Sequence, residues 1–270
     1  MTGTGTQNDP YIVATWDELA TYVETDGAYI ALSANSTWDI NDWYTSSVPE
    51  LKLYCNEINL NGSVIRNLRK SSGSLFRLFA SHDVDIKNGT ISNMYLSSAV
   101  LFDVGGYNDK AIQLTNIKLS GELYKSKFFD CNASDGVSFD TCAVSVHLAN
   151  STFSGQGGGW VRKSFVNSTI FLEGTVSDHV GTINLDSSAL YGNLTTISEY
   201  NHNLFLNNDT SVIDITLNGF DNIYSDSSAA SVINISTIGS ASVSGANMIQ
   251  ATSAQIADAS WLRAQGFPVA

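Results

Sequence analysis

A six-residue cassette recurs along this chain between residues 60 and 240. Each copy has an apolar residue, four short and mostly polar residues, and usually a second apolar residue. The copies begin at Leu60, Ile86, Leu114, Phe139, Phe165, Leu185, Ile215 and Ile235, and these starting points lie about 25 residues apart. A fixed period in this range is the sequence signature of a solenoid.

The residues around these anchors are typical of β-strands. Val84–Ile86 and Val212–Ile215 are short, alternating and β-branched, whereas no stretch inside the repeats carries the helical apolar pattern over the ~10–12 residues that a helical repeat needs. Two apolar residues five positions apart cannot share one face of a straight strand, so the cassette must bend. Asn61-Gly62 and Asn88-Gly89 follow the anchors and tolerate the left-handed conformation that such a bend needs.

The pattern predicts an all-β fold, a parallel β-helix in which each period is one coil. We expect about eight coils of ~25 residues, stacked ~4.8 Å apart through strand hydrogen bonds. A second series supports this register, because Leu75-Phe76, Leu101-Phe102 and Phe128-Phe129 recur at intervals of 26 and 27 residues. Large side chains at equivalent positions would stack and fill a narrow interior.

Both ends of the chain carry helix signals. Thr15 to Glu18 match a capping box, with Thr15 as the N-cap, and the apolar residues that follow form one helical face. Ser253 can cap a second helix through about Ala264, before Gly266-Phe267-Pro268 stops it. Because a β-helix exposes strand edges at its ends, we expect these helices to cover them. The predicted organisation is an N-terminal segment with its capping helix (1–50), the β-helix (51–250) and a C-terminal capping helix and tail (251–270).

Composition and charge exclude several classes of function. The formal net charge of −13 argues against nucleic acid or anionic membrane as partners, because both require basic patches. Cys55, Cys131 and Cys142 form neither a zinc motif nor a disulfide framework, and Cys142 fits a small buried apolar position. The sequence shows neither a signal peptide nor an apolar run of ~18 residues, so we expect a mature fragment or a protein released by lysis, without membrane insertion. No metal or cofactor is expected.

An enzymatic interpretation has one candidate neighbourhood. Glycoside hydrolysis needs two carboxylates about 5–10 Å apart, and Asp83 and Asp85 alternate along one strand, with Asp103 and Asp130 expected on adjacent coils. Polar residues that alternate with apolar ones are equally typical of any half-exposed strand. We therefore favour a non-enzymatic protein and keep a polysaccharide-degrading hydrolase or lyase as the alternative.

Aromatic residues with polar neighbours indicate glycan binding. Trp and Tyr offer an apolar face and a polar tip at low entropic cost, which suits sugars. The candidate ligand-binding residues are Tyr107, Trp160, Tyr200 and His202, all in predicted loops. Trp38, by contrast, alternates with Ile40 toward the expected core.

The two ends of the chain also resemble a known family. The segment Gly3–Val13, followed by Trp16–Leu19, resembles the beginning of pectate-lyase-like β-helix proteins, and Thr252–Ile256 with Trp261 resembles their end. Such proteins occur as bacterial adhesin modules and as virion proteins of tailed phages. The resemblance implies a right-handed β-helix and no catalytic residues, and the Asn-Thr-Asp, Asp-Asp, His-Gly and Arg-Ile-Lys strings of β-helical polygalacturonases do not occur in this sequence.

The resemblance also implies a function and a location. It favours a phage virion structural protein, such as a spike, fibre or capsid decoration, that contacts the host surface or its glycans. The expected partners are other virion subunits and a host glycan, and the expected assembly is a homotrimer, as in many phage β-helices. A bacterial cell-surface adhesin module is the alternative.

Overall fold

The protein is an all-β parallel solenoid, as predicted. A computed structural model describes residues 2–40, 48–104, 110–130, 136–152, 162–177, 181–197, 203–226, 229–239, 242–265 and 267. The helices are α1 (Trp16–Tyr22), α2 (Ser253–Ile256) and α3 (Ala259–Ala264). None of these described helices has the length and apolar character that a membrane crossing requires.

The strands follow one another along the whole chain. In chain order they are β1 (Tyr11–Val13), β2 (Tyr29–Leu32), β3 (Thr37–Asp39), β4 (Leu51–Leu53), β5 (Glu57–Asn59), β6 (Val64–Arg66), β7 (Arg69–Lys70), β8 (Ser74–Leu78), β9 (Val84–Ser97), β10 (Val100–Asp103), β11 (Ala111–Tyr124), β12 (Lys127–Asp130), β13 (Gly136–Asp140), β14 (Ala143–Ser151), β15 (Arg162–Val166), β16 (Thr169–Val176), β17 (Gly181–Asp186), β18 (Ala189–Thr196), β19 (Asn203–Asp209), β20 (Val212–Asn218), β21 (Asn222–Asp226), β22 (Ser231–Ile238), β23 (Ser242–Gly245) and β24 (Met248–Gln250).

These strands stack into three parallel ladders, one on each side of the solenoid. Ladder A consists of eleven strands, β1, β2, β5, β9, β11, β13, β15, β17, β19, β21 and β23. Ladder B consists of β3, β6 and β7, the second halves of β9 and β11, and then β14, β16, β18, β20, β22 and β24. Ladder C consists of β4, β8, β10 and β12.

The coils become shorter toward the C-terminus. Asp85 and Gln113 are register partners 28 residues apart, whereas Ser164 and Asn184 are partners only 20 residues apart. Within the described ranges, no strand of ladder C follows β12, beyond a single bridge from Lys127 to Thr152, and only the three residues 219–221 separate β20 from β21. Because three residues cannot form a strand between two turns, the cross-section changes from three-sided to two-sided toward the C-terminus.

The predicted anchors do not all belong to one ladder. Ladder A aligns five of them in one column, namely Ile86, Leu114, Phe139, Phe165 and Leu185. Leu60 lies just after β5 of the same ladder, whereas Ile215 and Ile235 pair with each other in ladder B. The last two anchors therefore lie on a different side of the solenoid from the first six, and the number of coils differs slightly from the predicted eight.

The corners have the backbone conformation that the Asn-rich turns predict. Asn61, Asn88 and Asn116 have φ angles of 53°, 59° and 53° at successive coils of the corner between ladders A and B. Gly89 follows one of them, and a Cβ at this position would lie 2.4 Å from the Cβ of Leu60 on the previous coil. Glycine is therefore required here by the close approach of two coils.

The interior is a column of large apolar side chains. Phe76, Phe102 and Phe129 are register partners in ladder C, which confirms the second predicted series. Phe139 and Phe165 continue the cluster from ladder A, with ring centroids 4.7 Å apart and nearly parallel planes. All five rings are buried. These contacts combine apolar burial with aromatic packing at the point where ladder C ends.

A ladder of buried hydroxyls follows the corner between ladders A and B. The backbone N–H of Ser168 donates to Ser188 Oγ (3.0 Å), that of Ser188 to Ser211 Oγ (3.2 Å), and that of Ser211 to Ser231 Oγ (3.1 Å). The N–H of Cys142 donates to Ser168 Oγ in the same way. Each serine thereby satisfies a buried donor on the preceding coil, since the corner breaks the strand hydrogen bonding. Cys142 is buried as predicted, and its sulfur accepts from the N–H of Ile117 (3.4 Å) as a serine does at the later coils.

The N-terminal helix fills the first end of the solenoid. Thr15 is its N-cap, as predicted, and Thr15 Oγ1 accepts from the N–H of Glu18 (3.2 Å). The Glu18 carboxylate accepts from the N–H of Ala14 (2.7 Å), one residue before the expected capping-box partner. Trp16 and Leu19 are buried in the main core, so α1 covers the apolar interior at this end.

The C-terminal helical segment differs from its prediction in two ways. It consists of two short helices, with N-caps Thr252 and Asp258, instead of one helix capped by Ser253. Ile256 and Leu262 pack with Val212 and Val232 in a cluster separate from the main core. The neighbours of Val212 and Val232 along their strands, among them Ile213 and Ile233, point into the main core. Because side chains alternate along a strand, α2 and α3 lie on the outer surface of ladder B.

Candidate functional site

The predicted glycan-binding residues cannot be placed in the fold. Tyr107, Trp160, Tyr200 and His202 all lie outside the described residues. Trp38 is buried in the core, as its alternation with Ile40 predicted.

A charged cluster lies on the outer surface of ladder A. Glu57 and Asp85 are register partners on neighbouring coils, and Lys87 Nζ lies 2.6 Å from Glu57 Oε2 and 3.9 Å from Asp85 Oδ2. The Thr115 hydroxyl donates to Asp85 Oδ1 (3.3 Å). Burial raises the pKa of Asp85, the charge of Lys87 opposes this effect, and the negative charge of Glu57 adds to it. Two carboxylates with different environments therefore contact one ammonium group.

Asp83 forms its hydrogen bonds with residues outside this cluster. Its carboxylate accepts from the backbone N–H of Ala111 (2.8 Å) and from the side-chain amide of Gln113 (3.0 Å) on the next coil. Both partners are fixed parts of ladder A. The Asp83 carboxylate therefore links its own coil to β11 on the next coil.

Asp103 and Asp130 lie on another side of the solenoid. They are register partners in ladder C, whereas Asp85 is in ladder A. Asp103 accepts from the Ser74 hydroxyl (2.8 Å) and lies 3.2 Å from Arg77 Nε, and Asp130 lies 2.9 Å from Lys127 Nζ. The expected neighbourhood of four aspartates is therefore wrong, because the coil turns a corner between the two strands.

A polar groove of about 440 Å³ follows the corner between ladders A and B. Its lining consists of Asn59, Asn61, Gly62, Asn88, Gly89, Thr90, Asn116 and Lys118. The side-chain amide of Asn88 donates to Asn59 Oδ1 (3.3 Å), and that of Asn116 donates to Asn88 Oδ1 (3.2 Å). The groove therefore presents a fixed column of amides, which offer both donors and acceptors to a hydroxyl-rich ligand.

A second groove of about 250 Å³ lies on the same coils, at a bend within ladder B. Asn67, Asn93, Tyr95 and Glu122 line it together with Arg69, whose guanidinium lies 5.3 Å from the centroid of the Tyr95 ring. This contact holds the tyrosine against a cation. The outward-pointing residues of β6, and of β9 and β11 where these strands run in ladder B, lie between the two grooves.

Two aromatic side chains continue this surface toward the C-terminus. Phe171 and Tyr191 are register partners on β16 and β18, and Phe171 is 40% exposed. Tyr191 packs against the cluster formed by the C-terminal helices. Burial raises the pKa of Tyr191, and the negative charge of Asp214 on the next coil raises it further.

Ionisable side chains lie beside the aromatic pair. Glu122, His147 and Glu173 are register partners on three successive coils of ladder B. His147 Nδ1 lies 3.4 Å from Glu173 Oε1, and both side chains are about half exposed. Glu173 is two residues after Phe171 on β16, so both point outward. Glycan hydroxyls above Phe171 would therefore have a carboxylate and an imidazole within reach.

We call this surface the B face, defined by Asn88, Asn116, Lys118, Tyr95, His147, Phe171, Glu173 and Tyr191. Its aromatic members were missed by the sequence analysis, which sought aromatic residues in loops. The signal was present, because Phe171 lies between Ile170 and Leu172, two residues of strand β16 that point into the core. Within the described part of the chain, no group of three or more His, Cys, Asp or Glu side chains is arranged to hold a metal ion.

Comparison with protein-family models, curated proteins and solved structures gave no match. The structure establishes the parallel β-solenoid fold but no family. The assignment to pectate-lyase-like adhesins or virion proteins therefore rests on the end motifs, such as Gly3–Val13.

Proposed function

We propose that this protein is a non-enzymatic structural and binding component of a phage particle, and that its B face contacts glycans of the host surface. The observation that carries the binding part is the register pairing of Phe171 and Tyr191 on the same side of the solenoid as the two polar grooves. The virion part rests on the resemblance of the end motifs. A bacterial surface adhesin would use the same face.

The B face offers the groups that sugars need. An exposed aromatic ring such as Phe171 provides an apolar surface for the C–H face of a sugar. Asn88, Asn116 and Lys118 provide amides and an ammonium group for sugar hydroxyls at the other end of the face. Because these groups lie on successive coils ~4.8 Å apart, an extended glycan chain could contact several of them at once.

The solenoid suits this role because it holds its surface rigid. The eleven strands of ladder A correspond to a length of about 50 Å at ~4.8 Å per coil. The side chains of the B face project from paired strands, so little conformational entropy is lost when a ligand binds. A stiff shaft of this kind can project a binding face away from a particle.

The binding proposal is tested with a glycan array and three proteins. We expect the unmodified protein to bind at least one class of glycan, and Phe171→Ala to weaken that binding about tenfold or more, through loss of ring contact. Tyr224→Ala is the matched control, because Tyr224 is 42% exposed but lies on ladder A. Equal binding by Phe171→Ala and the control would contradict the use of the B face.

The virion proposal is tested by electron microscopy of particles labelled with an antibody against this chain. Label on the particles supports a structural role. Absence of the chain from purified particles would refute the virion assignment and leave the glycan-binding result to be judged separately.

A polysaccharide-degrading enzyme is the second candidate, favoured by the Glu57–Lys87–Asp85 cluster. A glycosidase needs one protonated and one ionised carboxyl group, and the raised pKa of Asp85 beside Glu57 is consistent with this arrangement. The test is the viscosity of polysaccharide solutions with the unmodified protein, Asp85→Asn and Glu57→Gln. A fall in viscosity that either substitution abolishes would replace the non-enzymatic proposal, and unchanged viscosity with all three proteins would exclude this candidate for the polysaccharides tested.

A further inference from the structure

The two ends of the solenoid differ in whether their strand edges and apolar interior are covered. At the N-terminal end, Thr2 pairs with Ile12 in an antiparallel bridge, which covers the outer edge of β1. Trp16 and Leu19 of α1 are buried in the main core next to it. This end therefore exposes neither a free strand edge at Ile12 nor the apolar interior.

Among the described residues, nothing covers the strand edges at the C-terminal end. β23 pairs with β21 and β24 pairs with β22, and no described strand pairs with the far edge of either. All four residues of β23 are exposed. Val243 is the register partner of the fully buried Ile223 and still has 39% of its surface exposed. The last coil therefore presents backbone donors and acceptors together with the end of the core.

This open edge lacks the features that keep strand edges apart. Natural edge strands commonly carry charged residues, proline or a bulge that prevents pairing with another chain. Residues 227–257, which include β23 and β24, contain no Asp, Glu, Lys, Arg, His or Pro. The exposed Ile238 adds apolar surface close to this edge. The edge is therefore suited to pairing and carries no charge that would repel an identical edge.

We propose that the open end binds the same end of a second copy of this chain, which gives a closed dimer with two-fold symmetry. A two-fold axis across the end brings the edge strands of the two copies together antiparallel and places the two Val243 side chains at the interface. Because α1 and the Thr2–Ile12 bridge cover the other end, stacking cannot continue into a filament. This inference does not depend on the glycan-binding proposal.

The test is sedimentation equilibrium of the full chain over a range of concentrations. The unmodified protein should approach twice the 29.0 kDa of one chain. Val243→Lys should weaken the association about tenfold or more, because two lysines would be desolvated facing each other. Val243→Pro is a second variant: the N–H of Ser242 donates to the Asp221 carbonyl beside β21, so that of Val243 points to the free edge, and proline removes this donor without adding charge. Ile197→Lys is the matched control, because Ile197 is 51% exposed beside β18, away from the last coil.

Hydrogen exchange of residues 242–245 gives a second measurement. Their amides should exchange more slowly in the unmodified dimer than in Val243→Lys. Several results would overturn the proposal: a monomer at every concentration, a mass of three copies or an open series of larger species, or association that Val243→Lys and Val243→Pro leave at the level of Ile197→Lys.

Discussion

Removal of one hydroxyl from the serine ladder should have a measurable cost. Ser188 Oγ accepts from the backbone N–H of Ser168 (3.0 Å), and its single hydroxyl proton is shared between the carbonyl oxygens of Phe165 (2.9 Å) and Asp186 (2.8 Å). Ser188→Ala leaves the Ser168 N–H buried without this acceptor. Because an unsatisfied buried donor costs about 1–3 kcal/mol, we expect the coil to be destabilised by that amount.

The assay has to be local, because solenoid coils open individually as well as together. Hydrogen exchange of the Ser168 amide should accelerate about 5- to 150-fold in Ser188→Ala, as expected for 1–3 kcal/mol at 1.4 kcal/mol per factor of ten. The control is Ser145→Ala, which removes an exposed hydroxyl from a neighbouring coil and should stay within about 0.5 kcal/mol. Cys142→Ser should be nearly neutral, because a hydroxyl replaces the sulfur in the same ladder. Equal exchange rates at Ser168 in Ser188→Ala and Ser145→Ala would refute the reasoning.

Three further predictions concern the core, a carboxyl group and the thiols. Phe139→Ala should cost about 3–5 kcal/mol in urea denaturation, because it opens a cavity in the phenylalanine cluster, whereas the same change at the exposed Tyr124 should cost much less. The raised pKa of Asp85 favours its protonated form in the folded state, so this carboxyl supports folding below its unfolded pKa of 3.8 and opposes it as the pH rises through the folded pKa. Asp85→Asn should therefore raise the melting temperature at pH 7 and leave it nearly unchanged at pH 3; a larger gain at pH 3 would contradict this. Burial raises the pKa of Cys55 to about 12 and that of Cys142 to about 11, so peptide mass spectrometry should find both unalkylated at pH 8 until the protein is unfolded, and modification of the folded protein would contradict their burial.

The corner turns were predictable because their signals are local. The left-handed conformation of Asn61 and Asn88 follows from their own side chains and from the glycine that follows each of them. The N-cap at Thr15 also follows from residues within one turn of helix. The aromatic pair of the B face was missed for the opposite reason. Phe171 and Tyr191 are 20 residues apart, and only the register between coils makes them neighbours.

The chain's own pattern determined the solenoid class, the strand character of its repeats, the bends at its corners and the presence of helices at both ends. The tertiary structure decided which anchors share a ladder, so that Leu185 aligns with Phe165 but Ile215 belongs to another side. It also decided that α2 and α3 lie against ladder B and that the end near Val243 stays open. The physical reason is that stacking depends on register between residues 20 to 28 positions apart, and loops of unequal length shift that register without changing the local sequence pattern.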